Sequence, residues 1–369
     1  MKVKKIVLLL TLSLCLTACG TADNKEDSQN QEKTSQSKEE ESVEEQSADM
    51  EQRQVFVSPE WVKSVVDGEY DEGQKYLVIN VDWNGNDAYM EGHVPGAVYM
   101  TSNEVEYTDW EPWPQGDKLD DLTGEKFDPD ELYNLRAADE LESFMKKFGI
   151  DKDTMLILYG TSSNDSSVGR VAFACLYAGV ENVKIMDGGI ANWKDSGYPM
   201  ETDENLPASG DDSYSFGTTI PAHPEYVLSL EDTKNKLKTD SNFRLVSIRS
   251  KEEFQGEKSG YEYIDLAGEP KGAVWGRNIG DYGNEDGTIV TIETVKEFLS
   301  EANTTPDNEI SFYCGTGWRA TIPFLICYQE GIEDITLFDG GWYHWSRQNP
   351  DEFPVQKISP EEAAKLYSK

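Results

Sequence analysis

A cysteine, two glycines and an arginine crowd into FYCGTGWRAT at residues 312–321. A thiolate is the nucleophile and metal ligand among the forms of cysteine, so the surroundings of Cys314 decide what it can do. EISFY, just before it, reads as a buried strand. WRATIPFLICYQEG, just after it, has helical spacing, with Pro323 tolerable in the first turn. A loop that joins the C-terminal end of a strand to a helix is where α/β sheets bind ligands. Gly315 and Gly317 allow successive backbone N–H groups to turn inward as an anion nest, and the helix dipole adds partial positive charge. Cys314 is therefore placed as a nucleophile. Gly315, Thr316, Gly317 and Trp318 frame the bound group, and Arg319 adds a fixed charge at the rim.

The remaining thiols and imidazoles form no second site. Cys175 and Cys327 each lie twelve residues before the aspartate of an Asp-Gly-Gly, among apolar neighbours, and read as core. His93, His223 and His344 are not spaced as ligands on one helix face. The pattern is neither a disulfide framework nor a zinc site, and the expected chemistry needs no metal or organic cofactor.

The elements that must position the loop occur twice. YAGVENVKIMDGGIANW at 177–193 matches YQEGIEDITLFDGGWYHW at 328–345, and YLVINVDWNGNDAYMEGHVPGAVYM at 76–100 matches FRLVSIRSKEEFQ and GEPKGAVWG within 243–276. In the first copy Ser58-Pro59 opens a helix, KYLVINV is a strand, AADELESFMKKFG is an amphipathic helix and TMLILY a strand. SLEDTKNKLK, FRLVSI, TIETVKEFLSEA and EISFY repeat that order. Apolar strands separated by helices predict an α/β fold of two tandem domains, each a mainly parallel sheet with helices on both faces.

The chain begins with lysines before IVLLLTLSLCL, an apolar run suited to an export signal and short for a membrane span. LTAC at 16–19 resembles the bacterial lipoprotein box, which implies cleavage after residue 18 and lipidation of Cys19. Residues 19–54 are acidic, rich in Ser and Gln and almost without apolar side chains, as expected of a disordered tether. Domain boundaries follow: 1–18 signal, 19–54 tether, 55–200 first domain, 201–222 linker and 223–369 second domain. The expected location is extracytoplasmic, with the chain anchored to the cell membrane through lipid on Cys19. A formal net charge of −37 argues against nucleic acid as a partner.

The repeat, GHVPGA at 92–97, both Asp-Gly-Gly segments and CGTGWR together resemble the two-domain rhodanese-like sulfurtransferases. The resemblance implies that only the second domain is catalytic, with Cys314 opening a six-residue loop and the first domain offering Gly160 or Ser162 in its place. It implies a persulfide on Cys314, a small donor such as thiosulfate or 3-mercaptopyruvate, and a thiol-type acceptor. GRVAF implies that Arg170 faces the donor's anionic group. His93 and Asp82, with Thr316, match a hydroxyl–imidazole–carboxylate relay. Arg249 matches a structural ion-pair arginine, and Glu269 replaces the histidine in the second copy. Two other readings use the same residues. A cysteine-dependent phosphatase or arsenate reductase needs five residues between Cys and Arg, where this loop has four. A lipid-anchored binding or redox-sensing module needs no turnover at all.

Overall fold

The computed structural model describes residues 53–70, 73–107 and 132–358. The signal, Cys19 and all of the tether except residues 53 and 54 lie outside the described residues. The first domain holds β1 (Phe56–Val57), β2 (Tyr76–Val81), β3 (Val98–Met100), β4 (Met155–Tyr159) and β5 (Val183–Met186). They form one parallel sheet in the order β1-β5-β4-β2-β3. The second domain holds β6 (Val227–Leu228), β7 (Phe243–Ser247), β8 (Glu269–Pro270), β9 (Val274–Trp275), β10 (Glu309–Tyr313), β11 (Ile335–Phe338) and β12 (Val355–Gln356). Its parallel sheet runs β6-β11-β10-β7-β9, which is the first order again, and β8 pairs with β12 in a small antiparallel ribbon. The central strands are mostly apolar because helices cover both faces. The edge strands of two or three residues carry too little pattern to be read in advance.

Local signals place the helices. Ser58 Oγ accepts the Trp61 N–H at 3.3 Å and Pro59 opens the helix Pro59–Val66. The helix Ala138–Phe148 buries Leu141, Phe144, Met145 and Phe148 on one face and stops at Gly149, which is left-handed. The expected linker is stitched down: His93 and Glu201 exchange backbone hydrogen bonds, both 2.9 Å long.

The two domains share a core across equivalent helices, Ser166–Ala178 and Thr321–Gln329, each of which follows the loop after the central strand. They meet at Gly169, where a Cβ would stand 2.5 Å from Thr321 Oγ1 and 2.7 Å from Ile322 Cδ1. Phe173 packs edge-on against Phe324 with ring centroids 4.8 Å apart. Two matching hydrogen bonds add to this contact. Asp187 of the first Asp-Gly-Gly accepts the Ile289 N–H of the second domain at 2.8 Å, and Asp339 of the second accepts the Leu135 N–H of the first domain, also at 2.8 Å. Leu135 bridges Glu106 and Ile289 bridges Gly283, so each domain lays a short antiparallel ribbon on the other's Asp-Gly-Gly turn.

Candidate active site

Cys314 stands one residue beyond β10 and has no exposed surface. Beneath it lies the second Asp-Gly-Gly turn, with the Trp342 N–H donating to the Cys314 carbonyl at 2.8 Å and the Tyr343 N–H to that of Gly315 at 2.9 Å. The fit requires glycine at 341: φ is +54°, and a Cβ would stand 2.8 Å from the Cys314 carbonyl oxygen and 2.7 Å from that of Gly315. In the first copy the Ile190 N–H donates to the Gly160 carbonyl at 2.9 Å, and Gly189 has φ +58° under the same loop. Gly160, rather than Ser162, thus occupies the place of Cys314. That first loop is also plugged: the Ser163 N–H donates to Gly287 O at 3.0 Å and Asn164 Nδ2 to Ile279 O at 3.1 Å, both in the second domain.

The backbone N–H groups of residues 315–319 meet no acceptor among the described residues. Buried N–H groups are almost always paired. A cluster of them beside a buried thiol, with Gly317 at φ +82° and the helix Thr321–Gln329 following, has the form of an anion nest. Cys175 and Cys327 lie within helices among apolar side chains, and burial pushes each thiol up to about 12.

Arg319 does not point freely at the nest. Its Nη1 and Nη2 donate to Glu253 at 2.9 and 3.0 Å, and Nη2 also reaches the Tyr261 hydroxyl. Burial opposes the charge of Glu253, but the guanidiniums of Arg319 and Arg249 outweigh it and hold the carboxyl at about 2. Arg319 itself is raised well above its usual value: burial works against the cation, while Tyr261, Glu253 and the Cys314 sulfur favour it. Arg249 is buried between Glu253 and Glu269, at 3.3 and 2.6 Å.

Arg170, which the sequence set against the donor's anion, is fully buried, and every side of its guanidinium is engaged. Nε donates to Glu106 at 2.8 Å, Nη1 to Asp339 and Nη2 to the Tyr133 carbonyl at 3.0 Å. An arginine without solvent contact must be neutralised by paired carboxylates, and here they come from both domains. Arg170 still touches the loop, because a Cβ at Gly317 would lie 3.0 Å from its Nη1. Trp318 faces the same group, with Nε1 donating to both Glu106 oxygens at 2.6 and 2.7 Å. Burial pushes Glu106 up to about 7 against the pull of Arg170 and Trp318.

The relay residues are not brought together. His93 is buried and stacked on Tyr89; its Nδ1 lies 2.9 Å from the Tyr89 carbonyl and its Nε2 3.4 Å from Asn205 Nδ2. Neither nitrogen pairs with Thr316 or Asp82. Asp82 accepts the Asn84 N–H at 2.8 Å, and partial burial raises its pKa. Thr316 and Tyr263 both lie on the wall of the cavity beside the loop.

A cavity of 320 Å³ opens over Thr316, Trp318 and Arg319, with Tyr133 and Glu106 on one side and Tyr261 on the other. Several of these residues escape a sequence reading. Tyr261 and Tyr263 come from GEKSGYEYIDLAGEP, whose length as an insert is the available signal, and Glu253 ends a Ser-x-x-Glu capping box begun by Ser250. Nothing in the sequence singles out Glu106 or Tyr133.

Comparison with known proteins agrees with this arrangement. The rhodanese-like domain of the Rhodanese family matches residues 66–196 and again 229–348. Thiosulfate sulfurtransferase YnjE of Escherichia coli K12 is 35% identical over 302 residues, which cover 79% of this chain and 62% of YnjE. This chain thus spans less than two thirds of that relative's length. The crystal structure of YnjE superposes with a TM-score of 0.70 at 34% identity, covering 82% of this chain and 68% of the other. A structure of EanB with a cysteine persulfide in a tetrahedral intermediate state with ergothioneine gives a TM-score of 0.70 at 28% identity, covering 83% of this chain and 71% of that one.

Proposed function

This chain belongs to the rhodanese-like domain family as a tandem of two such domains, and from that premise we propose that it transfers a sulfane sulfur through a persulfide on Cys314. The observation that carries the reading is the set of unpaired N–H groups at residues 315–319 around a buried cysteine. In the first half-reaction the Cys314 thiolate attacks the outer sulfur of a donor, thiosulfate or 3-mercaptopyruvate. A Cys–S bond to that sulfur forms, the donor's own bond to it breaks, and sulfite leaves with the electron pair, or with 3-mercaptopyruvate the enolate leaves with it and takes up the donor thiol's proton to give pyruvate. In the second, a thiol-type acceptor attacks the outer sulfur and Cys314 departs as thiolate.

The loop N–H groups stabilise the terminal persulfide sulfur as an oxyanion hole stabilises oxygen. Glu253 holds Arg319 at the rim of the loop. Arg170 acts through its neighbours: with Asp339 it supports Gly317 from below and keeps the loop in shape. The phosphatase reading fares worse on the same geometry, because Arg319 is clamped to Glu253 instead of being free to embrace a tetrahedral anion. We also propose that the chain is exported and held at the membrane by lipid on Cys19, a reading supported by LTAC.

Whole-protein mass spectrometry after incubation with thiosulfate tests the function. Sulfur transfer gives a gain of about 32 Da in the wild type and none in Cys314→Ser. No adduct with any sulfane donor would favour a binding module, and phosphatase turnover without the adduct would favour the other enzyme class.

A further inference from the structure

The cavity of 320 Å³ stops short of the thiol beside it. Thr316, Trp318 and Arg319 of the cysteine loop line it, whereas Cys314 does not and has no exposed surface. A nucleophile must come within bonding reach of its donor, so part of the cover over Cys314 has to move before any reaction. Tyr261 is placed to be that part. It lines the cavity, and its ring lies against the loop at Gly315, where a Cβ would collide with the ring carbons and the hydroxyl. Glycine at 315 lets the ring approach the backbone next to the thiol that closely.

Polar contacts rather than core packing hold the ring there. Arg319 Nη2 donates to the Tyr261 hydroxyl, with the guanidinium carbon 5.3 Å from the ring centroid, and Glu253 secures that guanidinium from its other side. The backbone carrying the ring, between the helix Lys251–Phe254 and β8, forms neither helix nor strand. Gly256 and Gly260 precede Tyr261 with φ of +76° and +88°, and Glu257, Lys258, Gly260 and Glu262 are exposed. Side chains tie this stretch down: Arg249 Nη2 donates to the Ser259 carbonyl at 2.5 Å, and Ser259 Oγ to the Tyr261 carbonyl at 2.9 Å. Firm packing resumes just beyond it, where Tyr263 stacks on Tyr133 of the first domain at 5.0 Å and Ile264 is buried. Tyr261 thus rides on a short exposed segment, 257–262, with two glycines before it and a buried anchor after it.

We propose that Tyr261 determines which reactants reach Cys314: its ring closes the way from the cavity to the thiol, Arg319 latches it through the hydroxyl, and segment 257–262 carries it aside to admit a reactant. This rests on the sulfur-transfer reading and names what limits entry to the same site. A small donor needs a small displacement of the ring and a bulky reactant a large one, so the residue selects by size. With the ring back in place, a sulfur carried by Cys314 is kept from bulky thiols.

The test alkylates the donor-free full chain with iodoacetamide or the larger iodoacetanilide and follows the Cys314 peptide by mass, with thiosulfate-dependent adduct mass measured on the same preparation. Tyr261→Ala raises the iodoacetamide rate at least roughly tenfold and abolishes the preference of the wild type for the smaller reagent. Tyr261→Phe keeps the ring but loses the latch, and raises the rate about three- to tenfold. Cys175 and Cys327, buried in their helices, stay unmodified and show in the same digest that each variant is folded. If Tyr261→Ala exposes them, Tyr261→Phe decides. A Cys314 rate in Tyr261→Ala equal to that of the wild type, equal reactivity of the wild type toward both reagents, or no change in Tyr261→Phe overturns the proposal. A normal adduct with unchanged alkylation removes the gate and leaves sulfur transfer standing. Faster, less selective alkylation without any adduct keeps Tyr261 as the gate of a reactive thiol and removes sulfur transfer.

Discussion

Arg170 of the first domain and Asp339 of the second form a buried ion pair directly beneath Gly317 of the cysteine loop. The cysteine loop is therefore supported by a residue its own domain does not own. Arg170→Ala strands the carboxylates of Glu106 and Asp339, and breaking a buried pair in this way costs about 3–5 kcal/mol. The rate with thiosulfate should fall at least tenfold. Arg170→Lys, with one point charge, should recover part of the stability but not the spread of contacts. Urea unfolding and steady-state kinetics check this, and an unchanged kcat and KM in Arg170→Ala would remove the arginine from the site.

Gly341 and Gly189 lie under equivalent loops, yet only the first of these loops carries a nucleophile. Alanine at either position clashes with backbone at 2.7 Å and forces a positive φ on a side chain. Each substitution should lower stability by roughly 1–3 kcal/mol. Only Gly341→Ala should also slow persulfide formation, because it displaces the Cys314 carbonyl. Equal slowing in both variants would show that the loops are coupled through the interface.

The buried carboxyls set a pH dependence. Burial pushes Glu269 up to about 7, against the pull of Arg249 and Tyr313, and Glu106 also stands at about 7. Because the folded pKa exceeds the unfolded one, each group adds stability that is complete below its ordinary value of 4.5 and is lost as pH rises through 7. The effect is at most on the order of 3 kcal/mol per group. Unfolding free energy should fall across that window, and Glu269→Gln should flatten the slope. Glu253 works in the opposite sense: held at about 2, it contributes above its ordinary value and is lost only as pH falls toward 2. Denaturation curves at several pH values separate the two.

The proposed lipidation at Cys19 predicts that the protein partitions with membranes when the full sequence is expressed in a bacterial host. Cys19→Ala should move it to the soluble extracytoplasmic or medium fraction with its sulfur-transfer activity unchanged. A wild-type chain that fractionates as soluble would remove the anchor.

The sequence revealed the fold through repetition, since two weak copies of strand, helix and Asp-Gly-Gly constrain each other more than either does alone. It singled out Cys314 through its glycines. It misjudged what lies around that residue, because residue type does not report which partner a charge will find. Arg170 and Arg319 read as cations facing a substrate, whereas both are clamped by carboxylates far away in the chain, Glu106 and Asp339 for one and Glu253 for the other. His93 read either as shaping the turn of its motif or as part of a relay, and its ring is stacked on Tyr89 beside the linker. Tyr133 and Glu106 gain their places only when the ribbon that holds them crosses to the other domain.

That crossing limits how the halves can be inherited. Asp187 receives Ile289 from the second domain, and Asp339 receives Leu135 from the first. The first copy, whose matching loop has Gly160 where its twin has Cys314, supplies a wall of the cavity beside that twin's loop and cannot be discarded. A gene encoding only residues 223–369 would specify a nucleophile without its enclosure.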